Sequence, residues 1–239
     1  MAEKVKEGDL VYFEYDGWIK NPAGHEELFD TTSEELAKEH ELYDEKRTYG
    51  EVPTVVGKER LMKGMDEALT GVDVGKEQEV IIPPEKGMGE RDPKLVELFP
   101  IREFHRQEID PKPGMEVHIR DRNGFVSAVT AGRVRVDFNN PLAGKTLLYK
   151  FKVKKKVKGA KAKVLAIIEM DYGGGAGEFK VKVEKGNADI VLPEVCKYDE
   201  KWFVSKYKVI SDLRDLAGLK SIRFVEEYTK KEKGEAETA

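Results

Sequence analysis

The stretch from Asp9 to Met88 constrains the fold of this chain most, because short apolar blocks alternate there with turn-forming residues. Leu10–Tyr15 carries a single charge among apolar and aromatic residues and predicts a strand. Gly17 and the Asn21–Gly24 cluster are expected to break the chain after it. Glu77–Ile82 predicts another strand, and the Pro-Pro pair that follows is expected to end it. The stretch is therefore expected to contain a sheet of short strands.

Two helices are expected between these strands. The first would run to Lys38 from an N-cap at Thr32 or Ser33, with two glutamates in its first turn. The second is indicated by apolar residues at helical spacing, namely Leu61, Met65, Ala68 and Leu69. Gly71 is expected to end this second helix.

Six motifs of this stretch identify a family when they are taken in order. They are Tyr15-Asp16-Gly17, Leu28–Thr32, Val56-Gly57, Leu61–Leu69, Gly71–Gly75 and Ile82–Gly89. In order and spacing the series resembles the FKBP family of peptidyl-prolyl isomerases. The insertion after Gly89 and the extra C-terminal segment resemble the long, archaeal-type relatives of SlyD. The resemblance implies an α+β fold: an antiparallel half-barrel with a short helix, a small β-rich insert-in-flap domain and a small C-terminal α+β domain.

The resemblance also implies a domain division. We expect an isomerase domain from residues 1–88 and 138–157, an inserted domain from 89–137, a C-terminal domain from 158–230 and a disordered tail from 231–239. Leu147–Val157 alternates apolar residues with lysines, as expected for the last strand of the half-barrel.

The insertion has its own series of predicted turns and strands. Asp110–Gly114 predicts a turn, and Val117 and Ile119 then alternate with polar residues up to Asn123-Gly124, which predicts a hairpin turn. Two further strands are predicted, Phe125–Thr130 and Arg133–Phe138, joined at Ala131-Gly132. The insertion is therefore expected to form a small independent sheet.

The C-terminal segment is predicted to contain both helices and strands. A helix is predicted from Val164 to Tyr172, followed by a flexible glycine-rich break at 173–177. Apolar alternation on both sides of Gly186-Asn187 predicts a hairpin. We also expect a helix over Leu213–Leu219 and a final strand around Ile222–Val225.

The family pattern implies the site residues one by one. The catalytic set would be Tyr15, Phe29, Asp30, Met62 and Tyr149. The substrate-binding set would be Val52, Leu61, Met65 and Met88. Within these sets the Met62 amide would hold a substrate carbonyl, and Asp30 would be the one buried carboxylate. Rotation about an amide needs no nucleophile, metal or cofactor, and none is predicted.

Two of these positions depart from the family pattern. Met88 stands where the family usually has a tyrosine whose hydroxyl donates a hydrogen bond to ligands, and methionine cannot donate one. Met65 replaces a tryptophan or leucine at the pocket floor, which gives a softer floor. A non-catalytic holdase that retains the fold is therefore an alternative to an active isomerase.

The expected partners follow from the same resemblance. They are unfolded or partly folded polypeptides that contain proline, macrolide ligands, and a second copy of the chain bound through the C-terminal domain. The insertion would bind unfolded chains by strand addition, and a purely structural insertion is the alternative. The apolar residues that point to self-association are Val181, Val183, Ile190 and Leu192, with Trp202, Phe203 and Tyr207. The alternative is that they only form the small core of this domain.

Composition limits other functions. Charged residues make up 37% of the 239 residues, yet the net charge is −4, so neither nucleic acid nor a membrane is expected as a partner. The lysine run from Lys150 to Lys163 could be a nucleic-acid patch, but a solvated strand face plus a linker is the favoured interpretation. A single cysteine, Cys196, and a polar N-terminus without a signal-peptide pattern predict a cytoplasmic protein.

Overall fold

A computed structural model of the chain describes residues 3–21, 24–173 and 175–228. Along these residues the strands are β1 (Leu10–Lys20), β2 (Glu26–Thr31), β3 (Val52–Val55), β4 (Glu77–Ile82), β5 (Val96–Pro100), β6 (Glu116–Ile119), β7 (Arg122–Thr130), β8 (Arg133–Asp137), β9 (Thr146–Lys156), β10 (Lys180–Glu184), β11 (Asn187–Val191) and β12 (Ser221–Val225). The helices are α1 (Glu34–Glu39), α2 (Lys63–Leu69), α3 (Ile101–His105), α4 (Ala160–Tyr172) and α5 (Glu200–Asp215).

The first sheet is antiparallel in the order β2-β1-β9-β4, with β3 paired to β1. Its inner face packs on α2, and the helix approaches β4 closely because Gly64 has no side chain. A Cβ atom at Gly64 would lie 2.6 Å from Cγ2 of Ile82. Ser33, one of the two N-caps that the sequence predicted, caps α1 by accepting a hydrogen bond from the Leu36 amide. This sheet and helix form the frame of the first unit.

The insertion forms its own sheet in the order β5-β8-β7-β6. Phe99, Phe104, Val126, Val134 and Val136 belong to its separate core. The prediction of a small independent sheet is therefore confirmed.

The predicted turn at Asn123-Gly124 is wrong. Arg120 and Asp121 make the turn, both with positive φ (49° and 61°), and Gly124 lies inside β7. A Cβ at Gly124 would lie 2.8 Å from side-chain atoms of both Val136 and Phe138. The glycine therefore serves close packing rather than the turn.

The third unit pairs α4 and α5 with a sheet ordered β10-β11-β12. β10 and β11 form the predicted antiparallel hairpin, and β12 joins β11 in parallel. The mixed architecture of the three units confirms the predicted α+β class.

The predicted helix over Leu213–Leu219 is wrong in its bounds. α5 begins earlier because Asp199 caps it by accepting a hydrogen bond from the Lys201 amide at 2.9 Å. It ends at Asp215, and Gly218 then turns the chain at a φ of 66°.

The predicted break at Gly17 is also wrong, because β1 continues through it to Lys20 with a register shift between Gly17 and Trp18. Pro22 and Ala23, which belong to the other predicted break, lie outside the described residues. So do Gly174 of the glycine-rich segment and the whole predicted tail 231–239. No helix in the described part of the chain is long and apolar enough to cross a membrane.

Candidate active site

An apolar cavity of about 450 Å³ opens between the first sheet and the start of α2. It is lined by Phe13, Tyr15, Phe29, Asp30, Leu61, Met62, Met65, Met88, Leu142 and Tyr149. Eight of the nine site residues expected from the sequence are in this set, although they are spread along the chain from Tyr15 to Tyr149. Val52 does not line the cavity and packs against the core beneath it.

The aromatic walls come from strand alternation. Phe13 and Tyr15 project from the same face of β1, and their rings stack with centroids 5.4 Å apart. The Tyr149 ring on β9 lies 5.7 Å from that of Tyr15 and meets the Phe29 ring edge-on at 5.8 Å. The rings can meet because Gly17 lies beneath them, where a Cβ would be 2.8 Å from Phe29. Gly17 therefore makes room for the pocket wall.

The Asp30 carboxylate joins the side chains of Tyr15 and Arg47 at the edge of the cavity. The Tyr15 hydroxyl donates to Oδ2 of Asp30 at 2.8 Å, and Nη1 of Arg47 pairs with Oδ1 at 2.5 Å. Arg47 also lies over the Tyr49 ring, 5.4 Å from its centroid. Burial, then the Asp30 charge, raise the pKa of Tyr15, so its hydroxyl keeps its proton at neutral pH. Burial is also the main cause that raises the pKa of Tyr149.

Asp30 was expected to be the one buried carboxylate, and this expectation is wrong. Its side chain is 28% exposed, because it faces the mouth of the cavity where Arg47 reaches it. Asp66 on α2 is more deeply buried, at 7% exposure. Its two oxygens accept hydrogen bonds from the amides of Gly57 (2.7 Å) and Glu59 (3.0 Å). Asp66 thus holds the turn that leads into the pocket.

The Met62 amide is a candidate hydrogen-bond donor, because Met62 lines the cavity. Met62 is the N-cap of α2, and its carbonyl accepts hydrogen bonds from the amides of Met65 and Asp66, both at 3.0 Å. Its own N–H donates to no backbone carbonyl in the described part of the chain. That amide is available to a ligand in the cavity.

Methionine forms much of the floor and the lip. Met65 is 2% exposed at the floor, whereas Met88 is 38% exposed at the lip. Unbranched thioether side chains adapt their shape to what they contact. The cavity is therefore apolar but deformable.

Sequence reasoning missed three residues of the site: Phe13, Leu142 and Arg47. Alternation along β1 from Tyr15 could have identified Phe13. Leu142 and Arg47 lie in loops, and nothing in their local pattern indicates that the fold brings them to the cavity.

A wider cleft of about 800 Å³ lies on the other face of the sheet. Its lining includes Glu14, Asp16, Glu79, Lys150 and Lys152. These charged side chains would keep water in the cleft, and the smaller apolar cavity is therefore the better site for desolvating a ligand.

Five of the eight lysines in the run from Lys150 to Lys163 pair with neighbouring carboxylates. Its ion pairs are Lys152–Glu77, Lys154–Glu14, Lys155–Glu51, Lys156–Asp9 and Lys158–Glu3. These pairs match the interpretation of the run as a solvated strand face.

Comparisons with known proteins agree with this geometry. The family model for FKBP-type peptidyl-prolyl cis-trans isomerase matches residues 1–103. The models described as "FKBP26, IF domain" and "FKBP26_C-terminal" match residues 97–142 and 160–229.

Curated relatives extend the same similarity. The short-type peptidyl-prolyl cis-trans isomerase of Methanocaldococcus jannaschii is 37% identical over 154 residues, which cover 64% of this chain and 95% of that protein. SlyD of Aeromonas hydrophila is 32% identical over 134 residues, covering 54% of this chain and 63% of that protein. A probable 16 kDa FKBP-type isomerase of Pseudomonas fluorescens is 34% identical over 109 residues, covering 43% and 71%.

Proposed function

The chain belongs to the FKBP-type peptidyl-prolyl cis-trans isomerase family, and from this premise we propose that its apolar cavity rotates X-Pro bonds in unfolded or partly folded proteins. The observation that carries the proposal is the convergence of Tyr15, Phe29, Asp30, Met62 and Tyr149 on one cavity of about 450 Å³. A protease-coupled assay with a proline tetrapeptide tests it directly.

The reaction breaks no bond, and this explains what the site contains. Rotation about a peptide bond has a barrier of about 18–20 kcal/mol, because the planar amide is stabilised by resonance. The twisted transition state has lost that resonance, and its carbonyl is less polar than in the planar form. An apolar cavity that excludes water therefore favours the twisted state over the hydrated planar one.

Each group in the cavity has a role in this proposal. The rings of Tyr15, Phe29 and Tyr149 enclose the prolyl ring, and the Met62 amide donates to the carbonyl after proline. Asp30 faces the twisting carbonyl, and its bonds to Tyr15 and Arg47 keep it in one orientation. The site thus holds the substrate backbone on both sides of the rotating bond.

We further propose that the insertion gives chaperone activity. Leu95, Leu98, Met115 and Phe125 are exposed on it, with Leu98 55% exposed. β5 and β6 are the edge strands of its sheet and can accept an added strand from an unfolded chain.

The division into an isomerase domain, an inserted domain and a C-terminal domain belongs to the same proposal. We include Phe138 and Asn139 in the inserted domain, because Phe138 packs on its core and the Asn139 amide donates to the Asp92 carbonyl and to Oδ1 of Asp137.

The holdase alternative rests on Met88. This side chain lies at the lip of the cavity and has no hydrogen to donate where a ligand-binding tyrosine would have one. The tetrapeptide assay separates the two functions, because a holdase would leave the rate of isomerisation unchanged.

We expect Met88→Tyr to tighten macrolide binding about 2- to 13-fold, since one hydrogen bond contributes about 0.5–1.5 kcal/mol. Calorimetric titration measures the change, with Met88→Phe as the matched control that adds a ring without a hydroxyl. Equal or weaker binding by the tyrosine variant than by the phenylalanine variant would refute the role given to the lip.

We also propose that the chain forms a homodimer through the C-terminal domain. Phe203, Val204 and Tyr207 form an exposed patch on α5 and are 56%, 80% and 84% exposed. Trp202, expected from the sequence to belong to the same aromatic cluster, is instead buried in the core. Exposed apolar side chains grouped on one helix face are typical of an interface between proteins.

The double substitution Val204→Glu, Tyr207→Glu is expected to make the chain monomeric at tens of micromolar, because it places charges in the proposed interface. Sedimentation equilibrium measures the association. Ile81→Glu is the matched control, since it changes a 52% exposed apolar residue of β4 in the first sheet, outside the C-terminal unit. A wild-type monomer at this concentration, or a variant that still dimerises, would contradict the proposal.

A further inference from the structure

The C-terminal unit is joined to the isomerase sheet by a shared core. Leu10 of β1 and Val55 of β3, both almost fully buried, lie in the same cluster as Val164 and Ile167 of α4. The Tyr12 hydroxyl on β1 donates to Oε2 of Glu169 on α4 at 2.6 Å. The C-terminal unit is therefore docked on the sheet that carries the site.

Arg60 forms ion pairs across the contact between the isomerase domain and the C-terminal unit. Its Nη1 lies 3.4 Å from Oδ1 of Asp171 on α4, and its Nη2 donates to Oδ2 of Asp212 on α5. The Asp171 side chain is 0% exposed and that of Arg60 is 20% exposed. Lys208 lies on the solvent side, with Nζ 3.2 Å from Oδ1 of Asp171. One guanidinium of the isomerase domain is thus held by two carboxylates of the C-terminal unit.

The position of Arg60 connects this contact to the cavity. It directly precedes Leu61 and Met62, which line the cavity. Asp66 holds the other part of the same turn through the amides of Gly57 and Glu59. The turn is therefore fixed from one side by α2 and from the other by the C-terminal unit.

We infer that Asp171 and Asp212 are positioning residues for the isomerase site: they hold Arg60, and thereby place the Leu61 side chain and the Met62 amide. This inference rests on the proposed function of the cavity. The C-terminal domain would then influence turnover without touching the substrate.

The Asp212 carboxyl makes the contact between Arg60 and the C-terminal unit sensitive to pH. Oδ2 of Asp171 is buried and has no hydrogen-bond partner among the described residues, and the Asp212 carboxyl lies beside it. Burial, then Asp171, raise the pKa of Asp212 to about 6, against the lowering effects of Arg60 and Lys208. A raised pKa means that the folded chain, in which the two units are docked, gains stability over the unfolded chain when Asp212 is protonated. That stability is present at low pH and is lost as pH rises through about 6.

The test uses the full chain and three substitutions, one of which is a control. Arg60→Gln is expected to lower kcat/KM for a tetrapeptide about tenfold, since small misplacements of a binding group slow reactions strongly. It is also expected to shift the amide resonances of Leu61 and Met62 in NMR spectra. Arg223→Gln is the matched control, because Arg223 forms an exposed ion pair with Asp189 within the C-terminal sheet.

Asp212→Asn keeps the shape of the side chain and removes the Asp212 carboxyl that titrates. In the wild type we expect the Met62 amide resonance to move with a midpoint near pH 6, and in Asp212→Asn to stay constant between pH 5 and 7. A Met62 resonance that does not titrate in the wild type, or Arg60→Gln spectra and turnover equal to those of the control, would overturn the inference. An inactive wild type would refute the proposed function instead, and the resonances would still decide whether the two domains are coupled.

Discussion

Replacing residues 90–139 by a short loop is expected to slow catalysis of proline-limited refolding of a whole protein about 100-fold, because tethering by a second binding site raises avidity by about 10²–10⁴. Uncatalysed isomerisation takes about 10–100 s, so a client must stay near the cavity to be caught. Isomerisation of a tetrapeptide should stay within about twofold of wild type, because a short peptide gains nothing from that tether.

The structure allows this deletion. The Gly89 carbonyl accepts a hydrogen bond from the Gly144 amide at 2.8 Å, so the chain enters and leaves the insertion at adjacent points. Leu142 remains in place to line the cavity. Leu98→Ser with Phe125→Ser in the intact chain is the milder companion, since it removes exposed apolar side chains without changing connectivity. Equal loss in the tetrapeptide and refolding assays would show that the insertion is structural.

Asp30→Ala is expected to reduce tetrapeptide turnover about tenfold or more, because hydrogen bonds to a charged group contribute about 1.5–3 kcal/mol. The substitution leaves the Tyr15 hydroxyl without its acceptor and Arg47 without its counter-ion. Tyr149→Ala should have an effect of similar size, since it removes the ring that Tyr15 and Phe29 contact.

Circular dichroism accompanies both variants, so that loss of activity can be separated from loss of fold. Asp73→Ala is the matched control, because Asp73 also pairs with a cation, Lys76, but lies outside the cavity. Full activity in both cavity variants with unchanged spectra would show that the cavity is not the site.

Much of the fold could be predicted because each strand buries one face. β4 has the predicted bounds, and β9 shows the predicted alternation of buried apolar residues with lysines. The hairpin of β10 and β11 was likewise predicted correctly, from the alternation of apolar and polar residues on both sides of Gly186. Ordered motifs along the chain then placed most of the cavity lining.

The two errors at glycines share a physical cause. Gly17 and Gly124 were interpreted as turn residues, yet both lie in strands where a Cβ would collide with side chains from other strands. Such contacts depend on tertiary packing, and a local pattern does not contain them. Arg47 and Arg60 escaped notice for the same reason, because a loop arginine looks identical whether it faces solvent or a distant carboxylate.

The central claim is that the cavity catalyses rotation of the X-Pro bond, and NMR exchange spectroscopy on one proline tetrapeptide tests it most directly. The measured quantity is the cis–trans interconversion rate with catalytic amounts of the full chain, of Asp30→Ala and of Asp73→Ala. The account predicts clear acceleration by the wild type and the Asp73 control and a much smaller effect of Asp30→Ala. An interconversion rate that the wild type leaves at its uncatalysed value would contradict it.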